Sequence, residues 1–277
     1  MSSPKVSVIL PAFNAAAHLS NAINSILSQT FDNFELIIIN DGSTDHTSSV
    51  LAQFSDPRIK VITQDNLGLP KALNRGISAA NGEYIARQDA DDISLPTRLE
   101  KQVHFLDHHP QCGLLGTWSQ IVSPGQHTSN RQHLHPTSNG QIQVQLLINN
   151  QFVHSSVMFR AACLHKTGQY SEDPEHFPPE DYDLWLKIAK HFHVANLPEI
   201  LLHYIEEPNS ISRTKQELIT HRAALMSEQA IFSIPGLHQN SKIIQLLIES
   251  CNGRKCHIGP LQLWSLQNIL SKIQEYM

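Results

Sequence analysis

The chain lacks several features that would assign it to a class at once. No apolar run approaches the ~20 residues of a membrane span. Cysteine is scarce. Cys112, Cys163, Cys251 and Cys256 stand at scattered spacings that make no disulfide framework, so a reducing cytoplasm is expected. The opening MSSPKVSVIL enters a strand-like run without the long apolar stretch and cleavage site of a secretory signal, which supports the same expectation. A basic excess is also missing. The net charge of −5 argues against a nucleic-acid partner. There is no Walker lysine loop and no G-x-G-x-x-G after the first strand-like run, so the usual backbone cradle for phosphate is absent. Histidine is abundant at 17 residues, yet His108-His109, His133-x-His135 and His191-x-His193 have no second Cys/His pair at finger spacing. Surface or half-buried histidines are the simpler reading of all three.

What is present in the first hundred residues is a regular alternation. Apolar runs at 5–10, 34–39, 59–63 and 83–86 read as strands. Between them, residues 15–29 place Leu19, Ile23, Ile26 and Leu27 on one helical face, 44–54 read as a helix, and 69–80 repeat Leu69, Leu73, Ile77 and Ala80 at helical spacing. Apolar strands alternating with helices predict an α/β fold built on a mostly parallel sheet covered on both faces. Beyond it, Pro96 is expected to open a helix, and 113–122, 155–159 and 199–204 read as strands, with a helix over 180–191. Residues 123–140 form a polar stretch of a length that is often functional. From Lys215 the text is helical. Residues 214–277 carry net +2, which leaves −7 on residues 1–213. The expected organisation is therefore one domain over 1–213 and a helical C-terminal extension over 214–277.

In an open parallel sheet, ligands bind beyond the carboxyl ends of the strands. Those ends here carry Pro11-Ala12-Phe13-Asn14, Asp41-Gly42-Ser43, Gln64-Asp65-Asn66 and Asp89-Ala90-Asp91-Asp92. An acidic rim of this kind holds a phosphate group when a divalent cation, Mg²⁺ or Mn²⁺, bridges the two. The alternative for 89–92 is a solvated loop with Asp92 capping the next helix, and for Asp41 it is plain turn chemistry. A second acidic spot, Glu180-Asp181, opens a predicted helix. It is either a pair of carboxylates favoured by the helix dipole or a general base aimed into the cleft. Tyr182 and Trp185 are read as core residues rather than sugar platforms.

The segments VSVILPAFNAAAHLSNAINSILSQTFDNFELIIINDGSTDHT, NLGLPKALNRGISAANGEYIARQDADD, HSSVMFR and EDYDLWLKIAK, in this order, resemble the family 2 glycosyltransferases, over about Lys5 to Ser212. The resemblance implies the GT-A fold, a Rossmann-like central sheet flanked by helices. It implies a metal-dependent, inverting transfer of one sugar from a nucleoside-diphosphate sugar, with a UDP-sugar as first expectation, to a glycan or lipid-linked acceptor in cell-surface glycan synthesis. Pro11, Phe13 and Asn14 are similar to the strand-one motif that lines the nucleotide pocket. Asp41 resembles the carboxylate that binds the base, and Asn66 and Lys71 fall with the donor-binding set. Asp89-Ala90-Asp91 resembles the D-x-D motif, with Asp89 and Ala90 on the nucleotide and Asp91 on the metal. Asp181 resembles the catalytic base. One departure concerns the segment after the last strand. Family members often read Tyr-Arg-x-His-x-x-Ser-x-Ser, whereas this chain reads Tyr204-Ile205-Glu206-Glu207-Pro208-Asn209-Ser210-Ile211-Ser212. Glu207 in the position of the His leaves metal use and leaving-group stabilisation open. It also keeps in play a catalytically impaired accessory protein of the same fold. A nucleotidyltransferase would want a Gly-rich basic loop after strand one, and PAFNAAAHL offers none. The missing Gln-x-x-Arg-Trp motif of processive synthases favours transfer of a single sugar. Arg254-Lys255 with Leu261, Leu263, Trp264 and Leu266 could give the C-terminal helices peripheral contact with the cytoplasmic face of a membrane, the alternative being a helical cap on the core.

Overall fold

The computed structural model describes residues 3–123, 131–207 and 210–234. The first half alternates strand and helix: β1 (Val6–Ala12), α1 (Leu19–Leu27), β2 (Phe34–Asp41), α2 (Thr47–Leu51), β3 (Ile59–Gln64), α3 (Leu69–Ser78) and β4 (Tyr84–Arg87). The second half is less regular: β5 (Ile93–Ser94), α4 (Arg98–His108), β6 (Cys112–Val122), β7 (Gln132–His133), α5 (Asn139–Leu146), β8 (Met158–Arg160), α6 (Leu164–Thr167), α7 (Glu180–Ala189), β9 (His193–Ile205), α8 (Ile211–Thr214) and α9 (Gln216–Phe232). The nine strands among the described residues join one sheet in the order β3-β2-β1-β4-β8-β6-β9-β5, with β7 on β6.

The strands β1 to β4 pair in parallel. β8 runs antiparallel between β4 and β6, and β6 pairs in parallel with β9. The sheet is thus mixed rather than uniformly parallel. The expected strand at 155–159 divides: His154–Ser156 form a short 3₁₀ turn and only Met158–Arg160 pair. Helix α4 begins at Arg98 rather than at Pro96, with Thr97 as its N-cap and no side-chain cap bond, so Asp92 does not cap it.

Side chains of β1 alternate between two cores, as a period of two requires. Val6, Val8, Leu10 and Ala12 face the helices α1 and α4, and Ile9 faces α3 and α7 with Ile37, Ile39 and Ile85. Tyr182 and Trp185 are fully buried. Phe152, His154, Phe159 and Tyr170 ring the Trp185 indole, and the Tyr182 hydroxyl donates to the Leu146 carbonyl at 2.6 Å. Both are core, not platforms. Ser227 of α9 also meets the Tyr182 hydroxyl, at 2.9 Å, which docks α9 against α7. The basic and apolar residues from Arg254 to Leu266 lie outside the described residues, as do 124–130 of the polar stretch.

The strand order reverses at one point. Beyond β1 the chain adds β2 and β3 on one side, then crosses to place β4 on the other. Such a reversal opens a crevice at the carboxyl ends of the two central strands. Here those ends are Pro11–Asn14 and Asp89–Asp92.

Candidate active site

The acidic turn is built on two buried arginines. Arg87, the last residue of β4, has no exposed surface to speak of (1%). Its guanidinium donates to Asp89 Oδ1 at 2.6 Å and to the Gln88 carbonyl. Arg98 of α4 lies beneath, donating to Gln88 Oε1 at 3.0 Å, Ser94 Oγ at 2.6 Å and the Arg87 carbonyl at 2.6 Å. Burial pushes Arg98 down to about 9, against the pull of Asp92, so it stays charged at neutral pH. Together these donors satisfy the carbonyls of a turn that crowds three carboxylates.

The three aspartates differ. Asp89 is held by Arg87, and its own amide donates to Ser155 Oγ at 2.8 Å. Asp92 is buried and accepts from the Ile205 amide at 2.8 Å, pinning the end of β9. Burial, then Asp89 and Asp91, push its carboxyl well above the ordinary range. Asp91 is half-buried and receives no hydrogen bond from any other described residue. Burial and Asp89 push it up to about 6, with Glu207 adding to the rise. A divalent cation beside Asp91 would remove that electrostatic cost. Among the described residues no group of three or more His, Cys, Asp or Glu is arranged to hold a metal alone. Hard cations that take one or two carboxylates and complete their shell with phosphate and water fit such a donor set.

The second carboxylate comes from α7. Its first turn carries Glu180 and Asp181, adjacent in sequence and unlike in setting. Asp181 is half-buried, and its carboxylate accepts from Asn150 Nδ2 at 2.7 Å and from the Tyr182 amide at 2.8 Å. Burial raises its pKa, these two donors lower it, and the charge of Asp89 raises it. That last influence puts the first turn of α7 within electrostatic reach of the β4 turn. Glu180 points inward, 5% exposed, with His154 Nδ1 at 3.6 Å and Arg87 within electrostatic reach. Burial and Asp181 push its carboxyl up to about 8, so it is neutral at pH 7.

Glu180 therefore ties stability to pH. Its folded pKa lies above its unfolded value near 4.5. The folded state binds the extra proton, so stability is full below about pH 4.5 and falls as pH rises towards 8. In denaturant titrations, wild type should lose roughly 2–4 kcal/mol between pH 5 and pH 8. Glu180→Gln, which stays neutral, should flatten that fall. An equal fall in the variant would assign it to other groups.

The rim across the crevice is cross-braced. Asn14 has φ of 50°, its amide donates to Ser43 Oγ at 3.0 Å, and its side-chain carbonyl accepts from the Thr44 amide at 2.8 Å. The loop after β1 is thereby clipped to the loop after β2. Phe13 is half exposed (50%), Pro11 and Ala12 are buried in β1, and Ala90 packs on the core beneath the acidic turn. Asp41 is buried and accepts from Gln64 Nε2 at 2.7 Å and from the Leu67 and Gly68 amides at 2.9 Å each. Its carboxylate holds the loop that presents Asn66, which is exposed. Gly42, at φ 71°, is required there: a Cβ would stand 2.4 Å from the Asn66 amide nitrogen. Lys71 is exposed in the first turn of α3. Glu207 ends the β9 side of the rim and faces His18, Nε2 to Oε1 3.3 Å, across the start of α1.

The structure thus sets Asp89 within electrostatic reach of both Asp91 and Asp181, at the carboxyl end of the sheet that the β1 and β2 loops also flank. Three contributors escaped the sequence reading. Arg87 stood inside the acidic stretch, and an arginine ending an apolar strand beside carboxylates was the available signal. Asn150 and His18 carried no local signal, since each acquires its partner only through tertiary contact.

A family model described as glycosyl transferase family 2 matches residues 7–165. The putative glycosyltransferase EpsE of Bacillus subtilis is 36% identical over 217 residues, covering 76% of this chain and 77% of its own. The amylovoran biosynthesis glycosyltransferase AmsE of Erwinia amylovora is 33% identical over 202 residues, with coverage of 71% and 74%. Among solved structures, residues 1–349 of S. aureus TarS in complex with UDP-GlcNAc match with a TM-score of 0.68 at 18% identity, covering 97% of this chain and 80% of that one.

Proposed function

The chain belongs to glycosyl transferase family 2 and has the GT-A fold, and we propose that it moves one sugar from a nucleoside-diphosphate sugar to an acceptor hydroxyl with inversion at the anomeric carbon. The observation that supports this most is the division of labour between two acidic centres in one crevice. Asp89 and Asp91 crowd the switch point, where a diphosphate would lie. Asp181, on a separate helix, is oriented by Asn150 and is free of the turn's own network.

In this reading the rim residues Pro11, Phe13 and Asn14 receive the nucleoside, with Asp41 holding the Asn66 loop beside it and Lys71 at its edge. Asp89 and Ala90 face the ribose side. Asp91 would hold Mg²⁺ or Mn²⁺, which when bound offsets the charge of the departing diphosphate. Asp181 accepts the proton of the acceptor hydroxyl. The hydroxyl oxygen then bonds to the anomeric carbon as the carbon–phosphate oxygen bond breaks on the opposite face, and the electron pair leaves with the diphosphate. Asn150 and the Tyr182 amide favour the ionised base, offsetting the burial that would keep it protonated. The amylovoran relative supports a place in polysaccharide synthesis, with a glycan or lipid-linked acceptor. No helix among the described residues is long and apolar enough to cross a membrane.

A panel of nucleotide sugars incubated with the protein and Mn²⁺ or Mg²⁺ tests the reading through nucleotide release. At least one donor should be consumed by wild type, and Asp91→Ala should abolish its consumption. Absence of nucleotide binding by wild type with metal present would sink the donor-site assignment.

A further inference from the structure

The histidines of the polar stretch are not scattered on the surface. β7 pairs with β6, setting His133 opposite Ser119. His133 and His135 lie on one side with their rings near-parallel, 9° apart and 5.8 Å between centroids, while Leu134 between them is 55% exposed. The His133 ring meets Tyr204 of β9 edge-on, at 5.5 Å and 88°. Three half-buried rings therefore form a continuous wall.

The ends of the wall decide its meaning. At one end, Tyr204 lies within electrostatic reach of Asp92, Asp89 and Asp91. At the other, the Gln151 amide lies beside the His135 ring. Buried Asn196 ties the two segments together, its Nδ2 donating to the Pro136 carbonyl at 2.9 Å and the Gln151 carbonyl at 3.1 Å. The residue before Gln151 is Asn150, which holds Asp181. The wall thus runs from beside the acidic turn to the segment that carries Asn150, the partner of the candidate base.

We propose that the rings of His133, His135 and Tyr204 form the acceptor subsite, and that it takes a neutral pyranoside by stacking against the sugar's C–H face. This rests on the transferase reading above, since an acceptor must sit between the base and the donor. Half-buried rings with a few polar groups at their edges are the usual make-up of a small-molecule site. Aromatic faces carry negative potential, which attracts the polarised C–H bonds of a pyranose. Burial lowers the pKa of both histidines, that of His135 to about 4. The imidazoles are therefore uncharged at neutral pH, and the wall offers no cation for an acidic sugar.

Saturation-transfer NMR tests this with methyl glycosides of glucose, galactose and N-acetylglucosamine as probes. The protein is loaded with Mg²⁺ and nucleotide, whichever of UDP, GDP or dTDP it binds. At least one glycoside should receive saturation on its ring C–H protons from wild type. His133→Ala with His135→Ala should weaken that glycoside roughly tenfold, about what two ring contacts contribute, and leave the nucleotide signal unchanged. His133→Phe with His135→Phe should restore it. Glycoside binding that survives the alanines, or that the phenylalanines fail to restore, overturns the subsite, as does the lack of any glycoside signal in nucleotide-loaded wild type. A wild type that takes up no nucleotide overturns the donor-site reading, and this inference with it.

Discussion

Asp181→Asn should lower sugar transfer by ~10³-fold or more while donor binding stays within about twofold of wild type. The substitution keeps the size of the side chain and one of its two accepted hydrogen bonds but removes the site that takes the acceptor proton. The donor pocket is untouched, because among the described residues the Asp181 carboxylate is hydrogen-bonded by Asn150 and the Tyr182 amide and by no donor-site residue. Single-turnover assays with a saturating donor, beside a direct binding measurement, separate the two effects. The wild-type pH profile carries a second signature. Burial raises the Asp181 pKa, and the base acts only when ionised, so transfer should climb with pH through that raised pKa. In Asp181→Asn the residual rate should lose that acid limb. Equal loss of binding and rate in the variant would instead make Asp181 a structural residue.

Arg87→Met is expected to be the most destabilising single change at the site. Removing one partner of a buried pair costs about 3–5 kcal/mol, because the other charge is left uncompensated. Here the remaining partner, the Asp89 side chain, is about a third exposed (33%) and can recruit water. Arg87 Nε also has no hydrogen-bond partner, a cost that methionine removes. Both considerations place the loss near the lower end, about 3 kcal/mol. The effect spreads further, since Arg87 also lowers the pKa of Asp91 and of Glu180. Without it both carboxyls should titrate higher. Urea denaturation at pH 7 gives the stability. Adding Asp89→Asn to Arg87→Met should recover part of it, since the stranded charge is then gone. No recovery would mean that lost packing, not the broken ion pair, causes the fall.

Much of the fold was legible because it follows from local chemistry. The apolar runs at 5–10, 34–39 and 83–86 are strands because they are buried on both faces, and helical spacing marked α1 and α3. The acidic strand ends could be assigned to a ligand crevice without coordinates, since strand polarity in a parallel sheet sends them all to one edge. Less was legible where neighbours in the sheet are not neighbours in the chain. Residues 155–159 read as a strand by composition, yet the 3₁₀ turn at His154–Ser156 turns Ser155 towards the Asp89 amide. The histidines at 133 and 135 read as surface or half-buried and are half-buried, but nothing nearby in the chain names Tyr204 as their companion.

The sequence by itself determined the family, the α/β alternation and which carboxylates end up at the mouth of the sheet. Tertiary structure alone decided the setting of each acid there. Glu180 and Asp181 are adjacent and chemically alike, yet one is sealed against Arg87 and His154 and stays neutral, while the other meets the crevice and Asn150. Arg87 became the counter-charge of the acidic turn only when β4 was buried between β1 and β8. The reason is physical. Spacing and periodicity are local properties of the chain, whereas desolvation and Coulomb interaction depend also on atoms brought close from distant parts of it, as Asp92 and the Ile205 amide are from 113 residues apart.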